Sequence, residues 1–476
     1  MAIGHGSRIA GSLIITPMHI HILGICGTFM GGIAAIAREA GHTVTGCDQN
    51  VYPPMSDQLR ALGIDLIQGY AADQLALGPD LWVIGNTVSR GNPLMEAILE
   101  AGGRFTSGPQ WLAEQVLHGR HVLAVAGTHG KTTTTAMLTW ILQCAGKEPG
   151  YLVGGVPADF STSARLGKGK AFVIEADEYD TAFFDKRSKF IHYRPKTLIL
   201  NNLEFDHADI FADLAAIETQ FHHLVRTVPS TGRIVANAQS EAIGRVLSRG
   251  LWSEHTPFLD GMGWNVRLND KSGHDGRFSG QDAMICLAEK ALGPLYLALP
   301  GDHNRANALA AVAAAHHVGV SPEEALKALA KFGGVRRRLE VRGTVRGITV
   351  LDDFAHHPTA IEATIAALRE RIAAPARILA VFEPRSNTMK LGTMRALLAD
   401  SLSGADLAYC FSGGISWDPT PDLAVLGDKA VVERDLDELV RRVASEARPG
   451  DQILVMSNGG FGGIHARLLA SLEQSS

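Results

Sequence analysis

The sequence predicts an α/β protein made of three strand–helix units in series. Three observations predict it. Short apolar, β-rich runs alternate with helical stretches over nearly the whole chain. Residues 122–135 read Val-Leu-Ala-Val-Ala-Gly-Thr-His-Gly-Lys-Thr-Thr-Thr-Thr, an apolar strand running into a glycine turn and a helix start. Polar segments marked by glycine or proline follow several strand ends, as in open α/β sheets whose ligands lie at the carboxyl edge.

The first unit opens with the strand His19–Leu23, a glycine-rich turn (Gly24, Gly27, Gly31, Gly32) and an alanine-rich helix over 33–40. Gly41-His42 ends that helix, and 43–48 is the next strand, closing on Asp48. Strands at 64–69, 81–85 and 104–106 continue the alternation, and 111–118 reads as a helix leading into the second unit. There the strand before the P-loop is joined by strands at 171–174 and 197–200. Residues 260–280 read as loops between short antiparallel strands, and helices at 304–317 and 322–331 complete the unit. After a basic linker, Arg336-Arg337-Arg338, strands at 347–351, 377–382, 406–411, 429–432 and 452–456 form the third series.

Composition narrows the class. A length of 476 residues suits about three domains, and 46% hydrophobic with 20% charged residues is ordinary globular composition. A net charge of −5 offers no basic field for nucleic acid or an anionic membrane. Five cysteines, far apart and with no C-x-x-C pair, point to a reducing cytoplasm rather than a disulfide framework or structural zinc. No apolar run approaches the ~20 residues of a membrane helix. Residues 1–17 carry no convincing secretion signal and are read as an N-terminal extension.

The P-loop segment carries the chemistry. A strand, glycine turn and helix N-terminus aim backbone N–H groups and a helix dipole at one point. Lys131 adds a charge for terminal phosphates, and the Thr132 hydroxyl suits Mg²⁺. Val125 occupies the first glycine position of a strict Walker A, leaving the shorter Gly127-Thr-His-Gly-Lys-Thr-Thr133. A purely structural glycine turn is the weaker reading of Gly-Lys-Thr after a buried strand. Glu175, at a following strand end, is the expected second Mg²⁺ ligand; Asp177, Glu178 and Asp180 compete with it or form a solvated acidic loop. Asp206-His207 follows another strand, and His207 either ligates a second metal, polarises a phosphate or serves as a cap or core hydrogen bond.

In the first unit the glycine spacing is not G-x-G-x-x-G. A dinucleotide site with Asp48 on a ribose and a generic turn fit it equally; the P-loop next door favours a nucleotide-linked substrate over hydride transfer. Asn304, in Gly301-Asp-His-Asn-Arg-Ala-Asn307, could read a purine edge, although N-capping by Asp302 or Asn304 is the better reading of that segment alone. Asp352-Asp-Phe-Ala-His-His-Pro358, Glu383-Pro-Arg-Ser-Asn387 and Ser457-Asn-Gly-Gly-Phe-Gly-Gly-Ile-His465 follow three strands and together read as one binding face.

Taken together, 127–133, Glu175, 202–207, 301–307 and 353–358 resemble the Mur ligase family, the ATP-dependent amide-bond-forming enzymes of peptidoglycan precursor synthesis. The resemblance runs from about Met18 to the C-terminus. It implies an N-terminal Rossmann-like domain for a UDP-sugar (18–118), a central P-loop ATPase-type α/β domain (119–335) and a C-terminal Rossmann-like domain for a peptide (336–476). The longer runs 24–32, 175–189, 383–390 and 456–465 are similar to the branch that joins L-Ala-γ-D-Glu-meso-diaminopimelate, a recycled murein tripeptide, to UDP-N-acetylmuramic acid. Joining L-alanine alone is the alternative within the family. An NAD-dependent oxidoreductase and a non-catalytic nucleotide-binding regulator are the rivals outside it.

Carried over residue by residue, the resemblance implies ATP contacts at Gly127, Thr128, His129, Gly130, Lys131, Thr132, Thr133, Asn304, Arg337, Asp353 and His356. It implies UDP-sugar contacts at Gly24, Gly27, Thr28, Gly31, Asp48, Ser89 and Asn92, and peptide contacts at Arg385, Ser386, Asn387 and Asn458. Thr132, Glu175 and His207 are the implied metal ligands, with Lys131, Glu175 and His207 catalytic. The expected cofactors are ATP and Mg²⁺. The expected enzyme is cytoplasmic, a monomer or weak homodimer, with neither nucleic acid nor membrane as partner. Several family members carry a carbamylated lysine on the helix after the Asp-His pair; 213–225 holds no lysine here, Gln220 being the nearest slot, which implies metal binding without a carbamate.

Overall fold

The computed structural model describes residues 16–51, 55–268 and 283–474. The chain forms two compact units. The first takes the residues up to Arg120 together with two short segments, Ala164–Leu166 and Asp180–Arg187; the second takes the remainder.

In the first unit the strands His19–Leu23, Thr43–Asp48, Asp65–Gln68, Leu81–Ile84 and Phe105–Ser107 form one parallel sheet, in the order third, second, first, fourth, fifth. The order reverses between the first and fourth strands, where doubly wound sheets open their ligand crevice. Ile20, Ile22, Val83 and Ile84 are fully buried, as a parallel sheet covered on both faces requires. The expected helix over 111–118 begins earlier, at Gly108, because the Ser107 hydroxyl accepts from Gln110 N at 3.2 Å and Pro109 fits the first turn. It then widens into π-type turns over Ala113–Leu117. At the opposite, amino-terminal end of the sheet, His19 Nε2 and His21 Nδ1 share the Thr45 hydroxyl at 2.9 and 2.8 Å.

The second unit holds two sheets. In the larger, the P-loop strand His121–Ala126 lies between Ala171–Ala176 and Thr197–Leu200, parallel to both. Beyond Thr197–Leu200 come Arg233–Asn237, Glu254–Phe258, and then Trp264–Leu268, Ala283–Leu287 and Lys290–Pro294; the last two pairings are antiparallel. The expected antiparallel strands around 260–280 are thus partly seen, and 269–282 lie outside the described residues. The helices Lys131–Cys144 and Asp302–His317 cover this sheet. Ala308, Ala310, Ala311, Ala314 and Ala315 are fully buried, so the second helix is apolar nearly all round, the pattern of a core helix. At the sheet's amino-terminal edge His121 Nε2 and His317 Nδ1 both meet the buried Thr197 hydroxyl at 2.8 Å.

The other sheet runs Glu340–Val345, Ile348–Asp353, Gln452–Met456, Ile378–Phe382, Leu407–Phe411, Ala430–Glu433. All neighbours are parallel except the first pair. The three loops expected to share a face therefore leave three adjacent parallel strands at one edge. Among the described residues no helix is long and apolar enough to cross a membrane. All five cysteines are free.

Candidate active site

The P-loop is built by a sharp turn between two buried elements. Gly127 and Gly130 take positive φ of 147° and 78°, and the helix opens directly on Lys131. A side chain at Gly130 would put its Cβ 2.4 Å from Asn307 Oδ1. That oxygen belongs to a buried amide–hydroxyl cluster: Asn201 Nδ2 donates to Thr134 Oγ1 at 2.9 Å and to Asn307 Oδ1 at 3.0 Å, and Thr134 Oγ1 donates to the same oxygen at 3.1 Å. The segment 301–307 thus buttresses the P-loop from behind. The loop's other flank is held by Asn202, whose Oδ1 accepts from His129 N at 2.7 Å and whose Nδ2 donates to His129 O at 3.1 Å.

Lys131 is the charge centre. Its ammonium donates to Gly127 O at 2.8 Å and to Glu178 Oε2 at 3.2 Å, with Asp177 at 3.9 Å. Burial disfavours the charged form, but Glu178, Asp177 and Glu175 outweigh it and hold the ammonium above its usual range. Glu178 is likewise buried, yet Lys131 and His207 draw its carboxyl down to about 2. Glu175 behaves oppositely: burial and the neighbouring Asp177 push it up.

Thr132 Oγ1 donates to Glu175 Oε1 at 2.9 Å, and Glu175 Oε2 accepts from Gly154 N at 2.7 Å. Two neighbouring oxygens of an octahedral Mg²⁺ site with ~2.1 Å bonds lie about 3 Å apart, so this pair has the right spacing and donor type. Three carboxylates around one lysine also leave an acidic excess that a hard cation would neutralise. These residues fit Mg²⁺.

His207, expected as a metal ligand, has another partner. Its Nε2 lies 2.9 Å from Glu178 Oε1, and although burial opposes the charge, Glu178 and Asp206 raise its pKa. In this arrangement His207 and Glu178 are paired, and the Glu178 carboxylate is shared between His207 and Lys131. Asp206 in turn accepts from Thr388 Oγ1 at 2.7 Å, and Asp209 Oδ2 from Asn387 Nδ2 at 2.7 Å. These two bonds tie the P-loop sheet to the 383–390 loop.

Other expected residues make structural bonds of their own. Asn304 Nδ2 donates to Pro300 O at 2.7 Å. The capping alternative for 301–307 is corrected: the N-cap is Gly301, without a side-chain cap, because Asp302 is drawn to Arg305 at 2.6 Å. Asp353 accepts from Leu339 N at 2.9 Å and Ala355 N at 2.8 Å, shaping its own loop. Burial lowers His356 to about 4, and its Nδ1 bonds Phe354 O at 2.9 Å. Arg337 donates to Ser457 O and Gly459 O, both at 2.7 Å, and so fixes the 457–460 loop. Arg385 lies half-exposed across Gly459, where a Cβ would come within 2.1 Å of its Nε. Ser386 caps the short helix Asn387–Lys390 through Met389 N at 3.3 Å, and Asn458 Oδ1 is buried without a partner.

In the first unit Gly24 and Gly85 meet at the switch point, a Cβ on Gly24 lying 3.9 Å from Gly85 Cα. Asp48 Oδ2 accepts from Cys26 N at 3.0 Å, so the carboxylate expected on a ribose holds the glycine turn. Thr28 begins the helix that contains Gly31, and Asn92 caps the helix Pro93–Glu100 through Met95 N at 3.0 Å. Ser89 lies in the same turn, its backbone oxygen accepting from Asn92 N at 3.2 Å.

Sequence reasoning missed Asn201, Asn307, Glu204, His357 and Lys189. Lys189 is a buried lysine whose pKa burial lowers, beside Asp177 and Glu178. Its neighbour Ser188 donates to Gln220 Oε1 at 3.3 Å, the slot noted for its missing lysine. The asparagines were findable as polar residues inside apolar runs; the others needed the fold.

Comparison with known proteins bears on the whole chain. The Mur ligase family catalytic domain matches residues 19–120, the Mur ligase middle domain 125–315, and the Mur ligase glutamate ligase domain 337–459. The UDP-N-acetylmuramate–L-alanyl-γ-D-glutamyl-meso-2,6-diaminoheptandioate ligase of Escherichia coli strain K12 is 54% identical over 458 residues, 96% of this chain and 99% of that protein. A UDP-N-acetylmuramate–L-alanine ligase from Agathobacter rectalis is 31% identical, covering 93% of this chain and 96% of that one. The crystal structure of a murein peptide ligase from Psychrobacter arcticus 273-4 superposes with a TM-score of 0.74 at 45% identity, covering 96% of this chain and 99% of that chain. With its sheet orders, its P-loop and its matches along the full length, the chain belongs to the Mur ligase family.

Proposed function

We propose that the protein is an ATP-dependent ligase joining L-alanyl-γ-D-glutamyl-meso-diaminopimelate to UDP-N-acetylmuramic acid, in the reuse of cell-wall peptides. The observation that carries this reading is the P-loop lysine buried against Glu178 and Asp177, with Thr132 and Glu175 paired at 2.9 Å beside it. The substrate assignment rests on similarity: 54% identity to a ligase named for the tripeptide, against 31% to one named for L-alanine.

The chemistry follows from need. A carboxylate is a poor electrophile at neutral pH. One carboxylate oxygen of the muramyl lactyl group attacks the γ-phosphorus of ATP, the bond to ADP breaks, and an acyl phosphate results. The L-alanine amine of the tripeptide attacks the acyl carbon, the C–O bond to phosphate breaks, and the nitrogen gives up a proton as the amide forms. Lys131 neutralises charge on the transferring phosphoryl group. Thr132 and Glu175 would hold Mg²⁺, which supplies further charge neutralisation when bound. His207, expected to take a metal, is held 2.9 Å from the Glu178 carboxylate that faces Lys131.

Segment 18–118 would take the sugar nucleotide, 119–335 ATP and 336–476 the peptide, with Arg385 gripping one of its carboxylates in a bidentate contact. The five free thiols and the nucleotide substrates suit a cytoplasmic enzyme.

The test is phosphate release with ATP, Mg²⁺ and UDP-N-acetylmuramate, comparing tripeptide with free L-alanine. Release with the tripeptide at least about tenfold above that with L-alanine is expected. Preference for L-alanine would move the protein to the other branch, and no release with either would remove the ligase reading.

A further inference from the structure

We propose that His129, Glu204 and His357 form a binding site for a divalent transition metal of the zinc class, separate from the Thr132–Glu175 pair. His129 Nε2 lies 3.2 Å and His357 Nδ1 3.8 Å from the same oxygen, Glu204 Oε2. One donor atom from each of the three residues falls within 4.8 Å of the others. Tetrahedral zinc with bonds of ~2.0–2.1 Å holds its ligands about 3.4 Å apart, so the first pair already has that spacing and the third donor needs a shift on the order of 1 Å. Two imidazoles and one carboxylate form a donor set that selects zinc, cobalt or nickel over magnesium.

The surroundings aim these donors. Asn202 clamps the His129 backbone from both sides. Thr359 Oγ1 donates to Glu204 Oε2 at 2.8 Å, the outer hydrogen bond that steadies a ligating carboxylate. His357 is buried just ahead of the helix Pro358–Arg371, and its Nδ1 accepts from Thr359 N at 3.3 Å. Nδ1 is therefore the bare nitrogen of a neutral ring, the form a metal requires, and a metal would take its lone pair over from the Thr359 cap bond. Burial and the adjacent His129 lower the pKa of His357, favouring that form. The rings of His129 and His357 stand 4.8 Å apart and tilted by 49°, converging on Glu204. A metal here would cross-link the P-loop, the loop after Thr197–Leu200 and the start of the helix Pro358–Arg371. The site does not depend on the ligase reading, and its test is binding rather than turnover.

The test uses full-length, untagged, chelator-treated protein in millimolar Mg²⁺. Cobalt is titrated and followed by its visible absorption, and zinc by calorimetry. One saturable equivalent is expected, weakened about tenfold or more by Glu204→Gln and by His357→Gln. His121→Gln, at the other end of the sheet, should leave it unchanged. Circular dichroism checks that the variants fold; should Glu204→Gln not fold, His357→Gln supplies the comparison. Absence of saturable binding, or binding of unchanged strength in the folded variants, overturns the proposal.

Discussion

Lys131 has its counter-charges in place before any phosphate arrives, bonded to its own loop and to Glu178. On the proposed reading, nucleotide exchanges those partners for phosphate oxygens, and the side chain serves the transfer step. Lys131→Ala should lower the ligation rate by about 10²–10³ or more while sugar-nucleotide affinity stays within about twofold. Undiminished turnover would sink the P-loop assignment. The placement of Lys131 and Thr132 was legible because a glycine turn after a buried strand fixes where the first helix side chains go, and that of Glu175 because its strand end lies beside the P-loop strand. Glu178 was not. Asp177, Glu178 and Asp180 are equivalent acids along the sequence, and only the turn after Ala171–Ala176 decides which one faces the lysine. The pairing of His207 with Glu178 was hidden for a similar reason, since the two come from different strand ends.

The P-loop helix and the helix Asp302–His317 are fitted to each other at Gly130. A methyl group there meets both a backbone φ of 78° and Asn307 Oδ1. Gly130→Ala should cost roughly 1–2 kcal/mol from the left-handed backbone alone, more from overlap, and should raise the KM for ATP as the loop shifts. Thermal melting and ATP titration check this; an unchanged melting temperature and KM would contradict the buttress. Most elements were legible because their apolar runs are buried on both faces. The edge strand Glu340–Val345 was missed because its Glu-Val-Arg-Gly-Thr-Val is partly exposed and shows no apolar run. The helix before His121 was begun too late, because Ser107 and Pro109 set its start and 111 does not.

Over the whole molecule, the α/β series was legible from alternation alone. The inclusion of Ala164–Leu166 and Asp180–Arg187 in the first unit was not, since such long-range associations leave no local pattern. Both units share a sensitivity to acid. Burial, aided by His19, lowers His21 to about 4, and burial with His317 lowers His121 to about 4, each from 6.5; His303 and His356 are lowered to about 4 as well. The unfolded chain therefore takes up these protons first. Their stabilisation is complete above pH 6.5, declines as pH falls and is spent near pH 4. The urea midpoint should be flat above pH 7 and fall steadily from pH 6.5 to 5; a midpoint unchanged over that interval would refute it.

The Thr45 and Thr197 hydroxyls add a matter of proton counting. Each meets two imidazole nitrogens but owns a single hydrogen, so it can give to one ring and must receive from the other. The two rings of each pair must therefore present opposite faces, one bare nitrogen and one N–H. Protonating the bare one reverses its bond and turns the threonine hydrogen out, where at the fully buried Thr197 it would meet no water. Nitrogen NMR of the four rings should find one donor and one acceptor at each threonine near pH 7, and the loss of that asymmetry would mark the onset of acid unfolding.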